Sequence, residues 1–195
     1  MAAVDIPAEL EPYLRRLVDV LSQTVPLDAV YLLGSAALGA YEHGRSDVDV
    51  VAVTSRSLSI DERSALAAAA AAIPVPARKL ELVVYPRGST RWELNLNTAE
   101  GDEAEHLGLD PDAEPSFWFV LDRAIAEQHA LALLGPPWAE LFEPVAREAI
   151  EAALEEAVAF DGWSEANAAL AGARGRVWRE TGRWVSKREA EELRP

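Results

Sequence analysis

Two aspartates one residue apart, Asp47 and Asp49, open the run Asp47-Val48-Asp49-Val50-Val51-Ala52-Val53. The run alternates acid and valine and then turns continuously apolar, the pattern of a largely buried strand. Side chains alternate faces along a strand, so both carboxylates point the same way. Two anions on one edge repel unless a cation lies between them, and a hard divalent ion with oxygen ligands, Mg²⁺, suits that place. Upstream, the short apolar run 31–33 stops at Gly34-Ser35. Backbone N–H groups and the Ser35 hydroxyl at such a strand-to-helix turn suit a phosphate. Gly34-Ser35, Gly39 and Ser46-Asp47-Val48-Asp49 therefore share one strand–helix–strand unit. A phosphate cradle beside a metal site is the equipment of nucleotidyl transfer. Taken separately, each half also has a plain reading, as a common Gly-Ser turn and a solvated strand end.

A third acid, Glu81, lies inside the otherwise apolar run 79–85 (KLELVVY). A partly buried carboxylate needs a partner, and on a neighbouring strand Glu81 suits a third metal ligand or a general base. A surface-facing strand residue is the alternative. In residues 90–97 (TRWELNLN), Trp92, Leu94 and Leu96 share one face, and Glu93, Asn95 and Asn97 share the other. That polar face either contacts substrate through Glu93 and Asn95 or faces water from an edge strand. His106, in an acidic, turn-rich stretch over 98–115, reads as a ligand or as a lone surface histidine.

The elements that must position these residues follow from periodicity and breakers. Residues 7–24 read as a helix with the apolar stripe Leu10, Leu14, Leu17, Val18 and Leu21. Ser59-x-x-Glu62 is a capping box that opens a helix through the alanine tract to about residue 72, before Pro74 and Pro76. Residues 117–134 read as helical up to the break Gly135-Pro136-Pro137. Beyond Trp138 only helices are expected: 144–160, 167–181 stopped by Gly182, and a last one opened by the capping box Ser186-x-x-Glu189. The expected architecture is α/β (α+β), with a mixed β-sheet flanked by helices in residues 1–138 and a small all-helical domain in 139–195.

Composition narrows the partners. The 195 residues carry a formal net charge of -15, which argues against a nucleic-acid backbone and favours a cationic partner. No apolar run is long enough to span a membrane, so no membrane partner is expected. The chain contains no cysteine, which excludes a disulfide framework and thiolate metal sites. The N-terminus lacks the pattern of a signal peptide, and a cytoplasmic location is expected.

The order Gly-Ser, Gly, Ser-Asp-x-Asp resembles the signature of nucleotidyltransferases of the DNA polymerase β type. The wider chain resembles their aminoglycoside-modifying branch, the streptomycin/spectinomycin adenylyltransferases. This resemblance implies that Asp47 and Asp49 bind Mg²⁺ and that Gly34, Ser35 and Ser46 hold the phosphates of ATP. It implies that Glu81, in a Leu-Glu-x-x-Val strand, is the catalytic base. From the helical domain, Arg174 and Lys187 match the family's ATP-phosphate contacts. The reaction implied is transfer of AMP to a hydroxyl of a small cationic acceptor, an aminoglycoside, with release of pyrophosphate.

Two departures concern the acceptor. The family's pair of drug-binding acids falls on Phe160 and Ser164 in an ungapped match, while Asp161 and Glu165 have the right spacing one residue later. Ala99 stands near the place of the family's drug-stacking tryptophan. Relatives continue with further helices past the place of Pro195, so a shortened helical domain is expected. Two other functions remain open on these residues: adenylylation of a protein partner, and nucleotide binding without catalysis.

Overall fold

The structure, a computed structural model, describes residues 5–98 and 106–193. The first helix, α1 (Glu11–Thr24), starts with Pro12 in its first turn, where a missing N–H is harmless. Then follow β1 (Leu27–Leu32), the short helix α2 (Gly34–Ala37) and β2 (Val48–Thr54). Helix α3 (Ile60–Ala71) begins at the expected capping box: Ser59 Oγ accepts from the Glu62 N–H, and Glu62 accepts from the Ser59 N–H. Next come β3 (Leu80–Pro86), β4 (Leu94–Asn97) and β5 (His106–Gly108). Helix α4 (Ser116–His129) leads into β6 (Leu131–Leu134), and α5 (Arg147–Ala159), α6 (Glu165–Thr181) and α7 (Lys187–Glu192) complete the chain.

Among the described residues one six-stranded mixed sheet has the order β5-β4-β3-β2-β1-β6. Strands β2 and β3 are parallel, joined through α3; every other pair is antiparallel. One face of the sheet is apolar throughout. Val48, Val50 and Ala52 of β2, Leu80, Leu82 and Val84 of β3, and Leu94 and Leu96 of β4 form one buried cluster. Leu14, Leu17 and Leu21 of α1 and Leu66, Ala67 and Ala70 of α3 complete it. The alanines of α3 let helix and sheet approach closely, and the hydrophobic burial here is the main stabilising term.

The other face is divided along the strands. At one end Tyr31 and Tyr85 meet the returning segment 136–142. Tyr31 packs edge-on against Trp138 at 5.1 Å, Tyr85 against Phe142 at 5.5 Å, and Trp138 stacks on Phe142 at 4.1 Å. The Tyr31 hydroxyl donates to the Pro136 carbonyl, and burial with the nearby Glu140 charge pushes its pKa up to about 12. The opposite end of this face carries the candidate site.

Two strands differ from expectation. Residues 131–134 continue an apolar helical pattern, yet they form β6 and pair antiparallel with β1. A run of four apolar residues does not declare its period, and the pairing partner decides. Gly135 then turns the chain at φ 85°, where a Cβ would lie 2.2 Å from the Asp28 carbonyl oxygen. Strand β5, inside the stretch expected to be loop, is held to β4 by a ladder of three backbone-paired positions. Ala99 lies outside the described residues.

Compactness divides the chain otherwise than a single cut after residue 138. One unit comprises 1–114 and 130–142, and the other 115–129 and 143–195. The second unit is helical. Phe117, Trp118, Phe160 and Trp163 form an edge-to-face aromatic cluster that ties α4 to the α5–α6 turn. Gln128 bridges to the segment after α6, donating to the Gly182 carbonyl and accepting from the Trp184 N–H. Trp178 and Trp184 stack at 5.5 Å.

Candidate functional site

The parallel register of β2 and β3 sets Asp49 directly beside Glu81. The antiparallel ladders continue the row: Glu81 opposes Asn97, and Asn97 opposes His106. Direct neighbours in a ladder share a face, so Asp49, Glu81, Asn97 and His106 form one polar row across four strands. Asp47 immediately precedes β2, two residues from Asp49.

The Gly34 turn meets this row. Gly34 has φ 59°, and a Cβ built there would lie 1.7 Å from Asp49 Oδ2. No L side chain fits, on backbone conformation or on space. The glycine is therefore required by Asp49, whose carboxylate sits against the turn. Leu33 N–H donates to the Asp49 carbonyl at 2.8 Å, locking turn and strand together. Ser35 follows within α2, and Ser46 accepts from the Glu42 N–H at 3.0 Å, closing the loop that delivers Asp47.

Two cations face the acids. Arg78 holds Asp47 with a bidentate fork, Nε to Oδ1 and a terminal nitrogen to Oδ2, both at 2.8 Å. Lys79 Nζ pairs with Glu81 Oε1 at 2.9 Å and donates to Asn97 Oδ1 at 3.4 Å. Burial opposes the Lys79 charge, but the hydrogen bond and field of Glu81 outweigh it and hold its pKa above the ordinary lysine value. The backbone fixes both cations in place: Arg78 N–H donates to the Ser46 carbonyl, and Val48 N–H to the Lys79 carbonyl. Sequence reading passed over this pair. Its signal was two adjacent basic residues immediately before the acid-bearing strand, in a chain with only 18 lysines and arginines.

The donor chemistry here is all carboxylate oxygen, and Asp47 and Asp49 fit a hard divalent ion. Among the described residues no group of three or more histidine, aspartate or glutamate side chains is gathered to hold a metal. Glu81, expected as a third ligand or as a general base, is paired with Lys79. Glu81 remains beside Asp49, with its side chain 37% exposed, and so open to a substrate hydroxyl.

The remaining candidates are placed as follows. Glu93 is part of the fold: its carboxylate accepts from the Leu58 N–H at 2.9 Å and pairs with Arg63 at 3.2 Å, tethering the β2–α3 loop. Its side chain is 11% exposed. Asn95 donates to Glu114, which also pairs with His106 at 3.0 Å. In the helical unit Arg174 Nε donates to the Val185 carbonyl at 2.8 Å, and its guanidinium lies over the Trp184 ring. Lys187 is the exposed first residue of α7, two positions on from Val185. Asp161 and Glu165 are exposed on the α5–α6 turn and at the start of α6. At the neighbouring positions, Phe160 is committed to the aromatic cluster, and Ser164 caps α6 by accepting from the Asn167 N–H.

The stretch 14–113, which holds the turn and all three acids, matches the family model described as the nucleotidyltransferase domain. The match covers more than half of the chain, and the chain belongs to that family of nucleotidyl-transferring enzymes. The fold is shared with a solved structure, spectinomycin adenyltransferase AAD(9) from Enterococcus faecialis with ATP and spectinomycin. The TM-score is 0.67 at 16% sequence identity, covering 96% of this chain and 83% of the other. No curated protein matches the chain by sequence.

Proposed function

We propose that this protein transfers AMP from ATP to a hydroxyl of a small cationic acceptor of the aminoglycoside class, in the cytoplasm, and releases pyrophosphate. The observation that carries this reading is Asp49 standing between the Gly34 turn and Glu81, within the stretch matched by the family model. Asp47 and Asp49 would hold Mg²⁺, which when bound neutralises phosphate charge and assists departure of pyrophosphate. The Gly34-Ser35 turn and Ser46 cradle phosphates. Glu81 accepts the proton of the acceptor hydroxyl, and the freed oxygen attacks the α-phosphorus. A net charge of -15 favours a polycationic acceptor, and the solved structure of like fold contains ATP and spectinomycin. Asp161 and Glu165, exposed acids, are the candidate contacts for its amino groups.

The test is pyrophosphate release from ATP and Mg²⁺ with a panel of aminoglycosides, streptomycin and spectinomycin included. Release with one drug, lost in Glu81→Gln, is the expected result. ATP binding without release for any drug would overturn the drug-modifying reading and favour a protein acceptor or a non-catalytic nucleotide binder.

A further inference from the structure

Asp47 meets Arg78 through both of its oxygens, while the Arg78 backbone is pinned to the Ser46 carbonyl at 3.1 Å. The fork takes one lone pair on each Asp47 oxygen, and a divalent ion on the same carboxylate would stand close to a guanidinium of like charge. The two cations therefore compete for Asp47. With its backbone pinned, Arg78 can yield only by swinging its side chain, which is about one-third exposed and has room to move. Lys79 stands in the same relation to Glu81, at 2.9 Å.

We propose that Arg78 is a resident counter-ion that occupies Asp47 and must be displaced when a divalent metal binds there. The proposal rests on the reading of Asp47 and Asp49 as metal-holding residues. It makes metal affinity a competition: Arg78 offsets the Asp47 charge in the absence of metal and weakens metal binding. Displacement frees a guanidinium within one side-chain length of the bound ion, where a triphosphate would lie.

The experiment is Mn²⁺ binding to the full chain, followed by the electron paramagnetic resonance signal of free Mn²⁺ without nucleotide. Arg78→Gln is expected to tighten Mn²⁺ binding by roughly tenfold, because it removes the competitor. Arg78→Lys, which keeps the charge but loses the fork, should fall between that variant and wild type. Arg45→Gln makes the same charge change at a residue whose exposed partner is Glu42 and should shift affinity by less than about twofold. A gain in affinity is not produced by a damaged fold. Unchanged or weaker Mn²⁺ binding in Arg78→Gln would overturn the proposal, as would an equal gain in Arg45→Gln. The underlying metal reading is checked apart: if the double variant Asp47→Asn, Asp49→Asn binds Mn²⁺ as wild type does, that reading fails first.

Discussion

The two faces of β2 and β3 are built from alternate residues of the same few positions. Val48, Val50, Leu80 and Leu82 are almost fully buried against α1 and α3, while Asp49 and Glu81 between them meet cations and the Gly34 turn. One face is held by area removed from water, a non-directional term that any well-packed apolar side chain can supply. The other is held by directional contacts: a bidentate fork, a lysine pair and a glycine without a Cβ. Errors on the first face should lower stability and leave chemistry in place. Errors on the second should do the reverse.

The largest separation is expected for Asp49→Asn. Pyrophosphate release should fall by about a thousandfold or more, with the unfolding midpoint close to wild type. Activity within about tenfold of wild type would erase the distinction between the faces. Leu82→Ala, one residue from Glu81 but on the apolar face, should cost about 3 kcal/mol in urea unfolding and leave KM for ATP unchanged. A raised KM without loss of stability would show that the faces are coupled. Gly34→Ala lies where turn and carboxylate meet and should do both kinds of damage: about 1–3 kcal/mol of stability and a loss of turnover. A fully active Gly34→Ala enzyme would mean that the Asp49 carboxylate need not sit against the turn.

The smallest effect belongs to the helical unit. His129 Nε2 lies 3.1 Å from the Trp184 carbonyl, and burial, with Arg174 and Arg183 nearby, lowers its pKa below the ordinary 6.5. The unfolded chain therefore binds the proton more readily. His129 adds stability above the unfolded value, and that stability is lost as pH falls from about 6.5 through the lower folded value. Thermal melts over this range should fall with pH in wild type and less so in His129→Gln; parallel slopes would remove His129 from the account.

Much of this was legible in the sequence, because it is local. The capping box at Ser59, the N-cap at Ser186, the apolar stripe of α1 and the alternation of β2 are short-range patterns, and the structure carries each of them. The juxtaposition of Gly34 and Asp49 was implicit in one short strand–helix–strand unit, residues 31–53. Strands β5 and β6 were not legible, since a short strand is made by its partner and not by its own composition.

The sequence by itself determined which residues bear charge, which faces alternate and where helices begin, since these depend on side-chain type and chain geometry over a few positions. Only the tertiary structure decided which charges meet. It bonded Glu93 to the Leu58 N–H, drew Glu81 to Lys79, and closed Arg78 on Asp47. The physical reason is that an ion pair is settled by distance and burial between residues far apart in the chain: Asp47 and Arg78 are separated by 31 positions, and no local pattern encodes their meeting.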